Sequence, residues 1–153
     1  TARNVRGDAL DGVVPLLDRI FCDLKTVDPA AHRRCTGAAN EQILANLRKV
    51  VASGVRVVIR IPVVPDHNGA ESDLRATARL IAEEFGERVA QVQLLPFRKL
   101  GEDKYAALGM PYPMKDYAGP PRESWEPELR RAASVMSGYG VNAVAGAASS
   151  LPS

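Results

Sequence analysis

The chain has 153 residues, enough for about one domain, and it is 25% charged and 46% hydrophobic, as ordinary globular proteins are. A formal net charge of +2 is too small to indicate a nucleic-acid-binding protein, and no apolar run approaches the ~20 residues that a membrane-spanning helix needs. Its two cysteines, Cys22 and Cys35, fit neither a disulfide framework nor the usual spacing of metal ligands, which favours a reducing cytoplasm.

Helices and strands are predicted to alternate along the chain. The patterns predict a helix from Asp8, a strand at 19–25, a loop or short helix from Val27, a helix between Asn40 and Gly54, a strand at 57–65, a helix from Ser72 to Phe85, a strand at 89–97 and a last helix at 124–137. Asn40 is expected to cap its helix, and the segment 65–69 has the composition of a turn. This alternation predicts right-handed βαβ crossovers and a parallel sheet.

Three strands with flanking helices are too few to close a barrel. The predicted fold class is therefore α/β, with parallel βα units that form half of a larger sheet, and we expect the other half to precede Thr1. Residues 1–141 are assigned to this domain, and residues 142–153 are small and polar enough to form a disordered tail.

Arg60 is the unusual residue of the predicted strands, because it interrupts a run of β-branched residues and prolines that looks buried on both faces. A guanidinium group cannot be neutralised in a protein. Arg60 must therefore either pair with a carboxylate as a structural ion pair or reach an open cavity, and its own strand leaves both readings open.

Charged residues also follow the other predicted strands, with Asp23 and Lys25 after the first and Arg98 after the third. Because the carboxyl ends of parallel strands carry the functional residues of such folds, this placement favours a cavity in front of Arg60. Lys25, Arg60 and Arg98 together would bind a carboxylate or a phosphate. Asp23 beside them would hold a ribose hydroxyl, an ammonium group or a metal cation, so the set suits a zwitterionic or nucleotide-like ligand.

No serine or cysteine has a base at a spacing typical of an activated nucleophile, so no catalytic residue is assigned. His32 and His67 lie in turn-like contexts and are predicted to be solvated loop residues. Strand alternation directs Cys22 away from the charged residues, where it is expected to be a small buried apolar side chain.

Four segments, in this order and at this spacing, resemble the carboxyl-terminal half of the glycyl-radical-enzyme activating enzymes. They are Phe21-Cys22-Asp23-Leu24-Lys25, then Thr36-Gly37-x-x-Asn40, then Arg60-Ile61-Pro62-Val63-Val64-Pro65 followed by Asn68, and finally Leu94-Leu95-Pro96-Phe97 leading to Leu100-Gly101-x-x-Lys104-Tyr105-x-x-Leu108-Gly109. The activating enzymes are radical S-adenosylmethionine proteins of the pyruvate formate-lyase activating enzyme type, and the resemblance runs from about Thr1 to Val141.

The resemblance implies a partial, TIM-like (β/α)6 barrel in which a [4Fe-4S] cluster reduces S-adenosylmethionine to a 5′-deoxyadenosyl radical. That radical takes a hydrogen atom from a backbone glycine of a pyruvate formate-lyase-like partner, and flavodoxin or ferredoxin is the implied reductant. Carried over by residue, the cofactor-binding positions are Asp23, Leu24, Lys25, Arg60 and Arg98. Arg60 would reach the methionine carboxylate, and Asp23 would also serve a monovalent cation. Arg98 stands where the pyruvate formate-lyase activating enzyme has a histidine.

The cluster motif of that family, C-x3-C-x2-C, is absent from the chain. We therefore expect a fragment of an activating enzyme, inactive alone and unable to bind the [4Fe-4S] cluster, with the motif upstream of Thr1. Two alternatives stay open. One is a non-enzymatic α/β module that binds an anion or a protein at the same basic mouth. The other is a radical S-adenosylmethionine protein outside the activating enzymes, which the segment 94–109 argues against.

Overall fold

Helices and parallel strands alternate in the computed structural model, which describes residues 7–99, 102–112 and 114–147. The elements are α1 Gly7–Val13, β1 Arg19–Asp23, α2 Pro29–Thr36, α3 Glu41–Ala52, β2 Arg56–Val63, α4 Pro65–Asn68, α5 Glu71–Leu80, β3 Val89–Pro96, α6 Glu102–Ala107, α7 Trp125–Ser137 and β4 Ala143–Ala145. Short 3-10 turns at Val14–Leu16, Gly86–Arg88 and Arg122–Ser124, and a π-helical turn at Ile81–Phe85, adjoin these helices.

The strands form one parallel sheet in the order β1-β2-β3-β4. This confirms the predicted α/β class with parallel βα units. Strand pairing brings Asp23 opposite Arg60, Arg60 opposite Gln93, and Gln93 opposite Val144. The carboxyl end of β1 therefore lies beside the middle of β2, and Asp23 and Arg60 come close together.

The prediction of three strands is wrong, because β4 adds a fourth next to β3. It lies within the segment predicted as a disordered tail, of which 148–153 are outside the described residues. Besides the pairing of β4 with β3, main-chain hydrogen bonds on either side of it hold this strand: the Val92 amide donates to the Asn142 carbonyl at 2.8 Å, and the Gly146 amide donates to the Leu94 carbonyl at 2.7 Å. Three residues with small or medium side chains are too few for alternation to reveal a strand.

The hydrophobic core lies between one face of the sheet and the helices. Alternate strand residues point into it, and the amphipathic helices α3, α5 and α7 cover them with residues at helical spacing. Members of this core are Cys22, Val57, Ile59, Ile61, Val63, Val92 and Leu94 from the strands, Leu24 directly after β1, and Leu47, Val50, Leu74, Ala78, Leu129 and Met136 from the helices. Within the described residues, no helix combines the length and the apolarity that crossing a membrane requires.

Leu24 gives a direct test of this core, because it belongs to a segment for which a cofactor role is also predicted. Leu24→Ala is expected to lower the free energy of unfolding by about 2–5 kcal/mol, since it removes a fully buried side chain and leaves a cavity. Urea denaturation followed by circular dichroism measures the change. Leu16→Ala is the control: Leu16 is 82% exposed, and its loss should change stability by no more than about 0.5 kcal/mol. Equal effects of the two substitutions would contradict the placement of Leu24.

Candidate functional site

The second face of the sheet, opposite the helices, carries a row of polar residues. Because side chains alternate along a strand, Asp23 of β1, Arg60 of β2, and Gln91 and Gln93 of β3 share this face. The two glutamines are buried and bond to each other, with Gln93 Nε2 donating to Gln91 Oε1 at 2.9 Å. We call the two charged residues of this row, Asp23 and Arg60, the charged pair.

The charged pair is joined across β1 and β2 by a hydrogen bond and a second ion-pair contact. Arg60 donates from Nε to Asp23 Oδ1 at 2.9 Å, and its Nη2 lies 2.8 Å from the same oxygen. These contacts use one edge of the guanidinium plane, so the end formed by Nη1 and the second Nη2 proton is directed elsewhere. The two side chains are 40% and 31% exposed, which leaves them reachable by a ligand. Both predicted possibilities for Arg60 therefore hold: it pairs with a carboxylate, and it also reaches open space.

Phe21 supports the charged pair from the preceding position on the same face. The Cζ atom of Arg60 lies 5.6 Å from the centroid of the Phe21 ring, within the range of a cation–π interaction. The Phe21 ring is itself exposed. Its contact with Arg60 holds the long arginine side chain against the sheet and reduces the number of conformations it can adopt.

The other predicted cofactor residues are not all brought together with the charged pair. Lys25 follows the end of β1 and is half-buried, while Arg98 is exposed beyond the end of β3. The Leu24 side chain lies in the core, and its amide donates to the Arg60 carbonyl at 3.0 Å. Only main-chain atoms of Leu24 therefore remain to meet a ligand. The cofactor contacts assigned to these residues stay predictions.

Two asparagines that the residue patterns explained only as a helix cap and a turn residue fix the main chain after β1. Asn40 Nδ2 donates to the carbonyls of Thr26 at 3.0 Å and Val27 at 2.9 Å. Asn68 Nδ2 donates to the carbonyls of Lys25 at 2.6 Å and Pro62 at 3.0 Å. We call Asn40 and Asn68 the asparagine pair.

The prediction that the Asn40 side chain caps its helix is wrong. Asn40 occupies the N-cap position of α3, but no side-chain cap hydrogen bond forms, because the amide is turned towards the loop after β1. Asn68 similarly reaches across from α4, and its Oδ1 accepts a hydrogen bond from the Val64 amide at 2.7 Å. The sequence showed Asn40 at the start of a predicted helix and Asn68 shortly after the predicted strand 57–65, but it did not show their long-range partners.

The main chain after β2 is equally tight, and Gly69 makes this turn sterically possible. A Cβ atom at Gly69 would lie 2.7 Å from the Cα atom of Pro65, closer than any side chain can be placed. The Gly69 amide donates to the Val64 carbonyl at 3.2 Å. Both residues of Asn68-Gly69 are therefore needed here: Asn68 for the hydrogen bonds of its side-chain amide, and Gly69 because no side chain fits at its position.

The prediction that His32 is a solvated loop residue is also wrong. His32 lies in α2 and is buried, with Nδ1 2.7 Å from the Ala38 carbonyl and 3.0 Å from Thr36 Oγ1. An imidazole nitrogen this close to a carbonyl carries the proton and donates it. The helix ends at Gly37, whose φ of 74° reverses the chain and brings the Ala38 carbonyl over the ring. His67, in contrast, is exposed.

The cysteines do not supply a cluster site. Cys22 is buried in the core as predicted, and burial, followed by the neighbouring Asp23 carboxylate, raises the pKa of its thiol to about 11. Cys35 is exposed on α2. Across residues 7–99, 102–112 and 114–147, no three His, Cys, Asp or Glu side chains are grouped as metal ligands.

The chain is similar in sequence to several activating enzymes. The chain is 36% identical over 137 residues to the (2S)-3-sulfopropanediol dehydratase activating enzyme of Klebsiella oxytoca, covering 90% of this chain and 43% of that protein. It is 38% identical over 109 residues to the isethionate sulfite-lyase activating enzyme of Nitratidesulfovibrio vulgaris, covering 70% and 34%. It is 29% identical over 120 residues to the pyruvate formate-lyase 2-activating enzyme of Escherichia coli, covering 78% and 40%. No family model matches the chain.

The fold is also that of an activating-enzyme domain. A crystal structure of a domain of pyruvate-formate lyase-activating enzyme from Bacteroides vulgatus superimposes with a TM-score of 0.72 at 23% identity, covering 96% of this chain and 78% of that one. This likeness shows the fold alone, and the sequence relatives show the family. The chain belongs to the family of the glycyl-radical-enzyme activating enzymes. The chain spans less than half the length of the curated relatives it matches.

The two cysteines should differ sharply in reactivity. With iodoacetamide at pH 8, the native chain is expected to be modified at the exposed Cys35 and not at Cys22, because a pKa of about 11 leaves about one thousandth of the Cys22 thiol ionised and burial blocks access. Mass spectrometry of the digested chain measures modification at each site. In guanidinium chloride both cysteines should react. Rapid modification of Cys22 in the native chain would refute its placement in the core.

Proposed function

We propose that this chain is the part of a glycyl-radical-enzyme activating enzyme that binds S-adenosylmethionine at the carboxyl ends of its strands. The charged pair is the observation that carries the proposal. It couples the carboxylate at the end of β1 to an arginine of the adjacent strand β2, with one edge of the arginine turned away from Asp23. It also lies within the segment that is similar to the activating enzymes.

The charges of the site suit the amino-acid end of S-adenosylmethionine, which carries a carboxylate and an ammonium group on one carbon. The free end of the Arg60 guanidinium is suited to the carboxylate in a two-bond contact, and the Lys25 ammonium adds a second positive charge nearby. Asp23 is suited to the ammonium group or to a monovalent cation. A bound S-adenosylmethionine would supply the 5′-deoxyadenosyl radical that takes hydrogen from a glycine of the partner.

Leu24 and Arg98 have smaller parts in this proposal. Leu24 would contribute main-chain atoms, since its side chain is buried in the core. Arg98, exposed after β3, would take the position that a histidine has in the pyruvate formate-lyase activating enzyme. Its guanidinium has the planarity to stack on an adenine ring and adds a permanent charge that a neutral histidine lacks.

The residues present do not fit a [4Fe-4S] cluster. Cluster iron is held by several thiolates, whereas Cys22 is a buried thiol with a raised pKa and Cys35 lies on the surface of α2. No step of the reaction is therefore assigned to a cluster on this chain, and we propose that the chain alone is inactive. We assign the cluster to the parent protein, a partial (β/α)6 barrel in the cytoplasm. Flavodoxin or ferredoxin would reduce the cluster, and the parent protein would act on a pyruvate formate-lyase-like partner.

Binding of S-adenosylmethionine to the chain tests the proposal. Isothermal titration should show saturable binding, and both Arg60→Ala and Lys25→Ala should weaken it by about tenfold or more, because each removes a charged hydrogen-bond donor. Arg60→Lys should also bind poorly, since it keeps the charge but loses the planar fork. Arg130→Ala is the control: Arg130 pairs with Glu126 on an exposed turn of α7, and its loss should leave affinity unchanged.

Competition with simple anions separates this function from a general anion module. Methionine should compete with S-adenosylmethionine, whereas sulfate and phosphate at equal concentration should not. Preferential binding of sulfate or phosphate that Arg60→Ala abolishes would instead support a non-enzymatic anion-binding module. Binding that survives Arg60→Ala and Lys25→Ala would sink the proposal that the charged pair is the cofactor site.

Anaerobic reconstitution with iron and sulfide tests the assignment of the cluster. After desalting, the chain should retain far less than one iron and one sulfide per molecule and show no absorption band of an iron–sulfur cluster. The reason is that the chain has two separated cysteines, whereas the cluster motif supplies three thiolates. Metal and acid-labile sulfide assays give the stoichiometry. The double variant Cys22→Ser, Cys35→Ser should retain equally little. Stoichiometric iron and sulfide that disappear in the double variant would refute the assignment.

A further inference from the structure

We infer that the asparagine pair, Asn40 and Asn68, positions the cofactor site by fixing the main chain that leaves β1. This inference rests on the proposed function, since it concerns the placement of Lys25 relative to the charged pair. Neither asparagine needs to touch a ligand for this role. Each acts through the main chain, so both are positioning residues and not catalytic ones.

Three successive carbonyls are held from the side by the asparagine pair. Asn68 bonds the carbonyl of Lys25, and Asn40 bonds those of Thr26 and Val27, at distances between 2.6 and 3.0 Å. The next residue is fixed locally, because the Asp28 amide donates to Thr26 Oγ1 at 3.2 Å. A loop of four residues thus has a hydrogen bond at every position, and the Lys25 side chain projects from a main chain with little freedom.

Asn68 also ties this loop to the neighbouring strand. Its amide nitrogen is shared between the Lys25 carbonyl and the Pro62 carbonyl of β2, while its oxygen accepts from the Val64 amide. One side chain therefore spans the ends of β1 and β2, the two strands that carry the charged pair. The distance between Lys25 and Arg60 is set by this connection as well as by the sheet.

The arrangement of Asn40 favours a positioning role over a purely stabilising one. An asparagine at an N-cap position ordinarily satisfies the amides of its own helix. Here the cap bond is not made, and Asn40 Oδ1, fully buried, has no hydrogen-bond partner among the described residues. An unpaired buried oxygen destabilises the fold. The Asn40 side chain therefore bonds the loop after β1 and leaves its own helix, α3, without a side-chain cap.

Asparagine-to-aspartate substitutions test the inference with the smallest change in shape. In Asn40→Asp or Asn68→Asp, a carboxylate oxygen replaces the donor and faces two carbonyl oxygens, so the loop is expected to detach. Asn142→Asp is a matched control, because Asn142 Nδ2 likewise donates to a main-chain carbonyl, that of Ala90 at 2.7 Å, near the amino end of β3. Asn40→Ala and Asn68→Ala, which remove the donor without adding charge, serve where an aspartate variant does not fold.

Two measurements are made on each variant at a temperature where circular dichroism shows it to be folded. Hydrogen exchange of the Leu24 and Asp28 amides should accelerate in the variants of the asparagine pair and stay unchanged in Asn142→Asp. The Kd for S-adenosylmethionine should rise by about tenfold to a hundredfold in the first group only, by analogy with metal sites, which lose affinity by this factor when the partners that orient their ligands are removed. A merely structural role would lower the melting temperature and leave the Kd of the folded variants unchanged.

The outcomes separate this inference from the proposed function. Unchanged exchange at Leu24 and Asp28 would overturn the inference directly, whatever the Kd. Accelerated exchange with an unchanged Kd would show that the asparagine pair holds the loop without serving the site, and would also overturn it. If the unmodified chain binds no S-adenosylmethionine, the proposed function fails first, and accelerated exchange would then leave the asparagine pair as a structural device alone.

Discussion

The ion pair between Asp23 and Arg60 is the interaction on which the arrangement of the site depends. A permanently charged side chain in the middle of a parallel strand needs a carboxylate partner or access to open space, and the strand register supplies the partner here, because the two residues are register neighbours. A slip of one residue would turn Arg60 towards the helices and into the core. Because both side chains are partly exposed, the pair adds at most about 1 kcal/mol to stability, so its main effect is on orientation.

The two faces of the sheet divide the work between stability and chemistry. One face is continuous hydrophobic packing against α3, α5 and α7, and it includes Leu24, which directly follows β1 and lies between Asp23 and Lys25. The other face presents Asp23 and Arg60 to open space. Alternation along β1 thus anchors the strand through one residue while the residues on either side remain available, and the asparagine pair extends the same rigidity past the end of the strand.

Sequence periodicity predicted the main elements because each is long enough to show its pattern. The strands 57–65 and 89–97 and the helices around Leu47, Leu74 and Met136 were all found close to their observed positions. β4 was missed because three residues carry no periodicity, and the burial of His32 was missed because it depends on a chain reversal at Gly37. At the site, the pairing of Arg60 with a carboxylate was one of two readings; the choice of Asp23, and the long-range bonds of Asn40, depend on strand register and tertiary contacts that no local pattern contains.

The sequence Asn68-Gly69 is prone to deamidation when the chain is unfolded, and the fold suppresses this reaction. In an unfolded chain, the main-chain nitrogen of a residue after asparagine can attack the side-chain amide carbon, release ammonia and form a cyclic imide, which water opens to aspartate or isoaspartate. Glycine in second place gives this attack the least steric hindrance. In the folded chain the Gly69 amide is bonded to Val64, and the Asn68 amide is held by three main-chain groups. Chemical ageing at this position therefore reports how often the turn opens, and each event replaces a donor of the asparagine pair with a carboxylate that cannot be repaired by refolding.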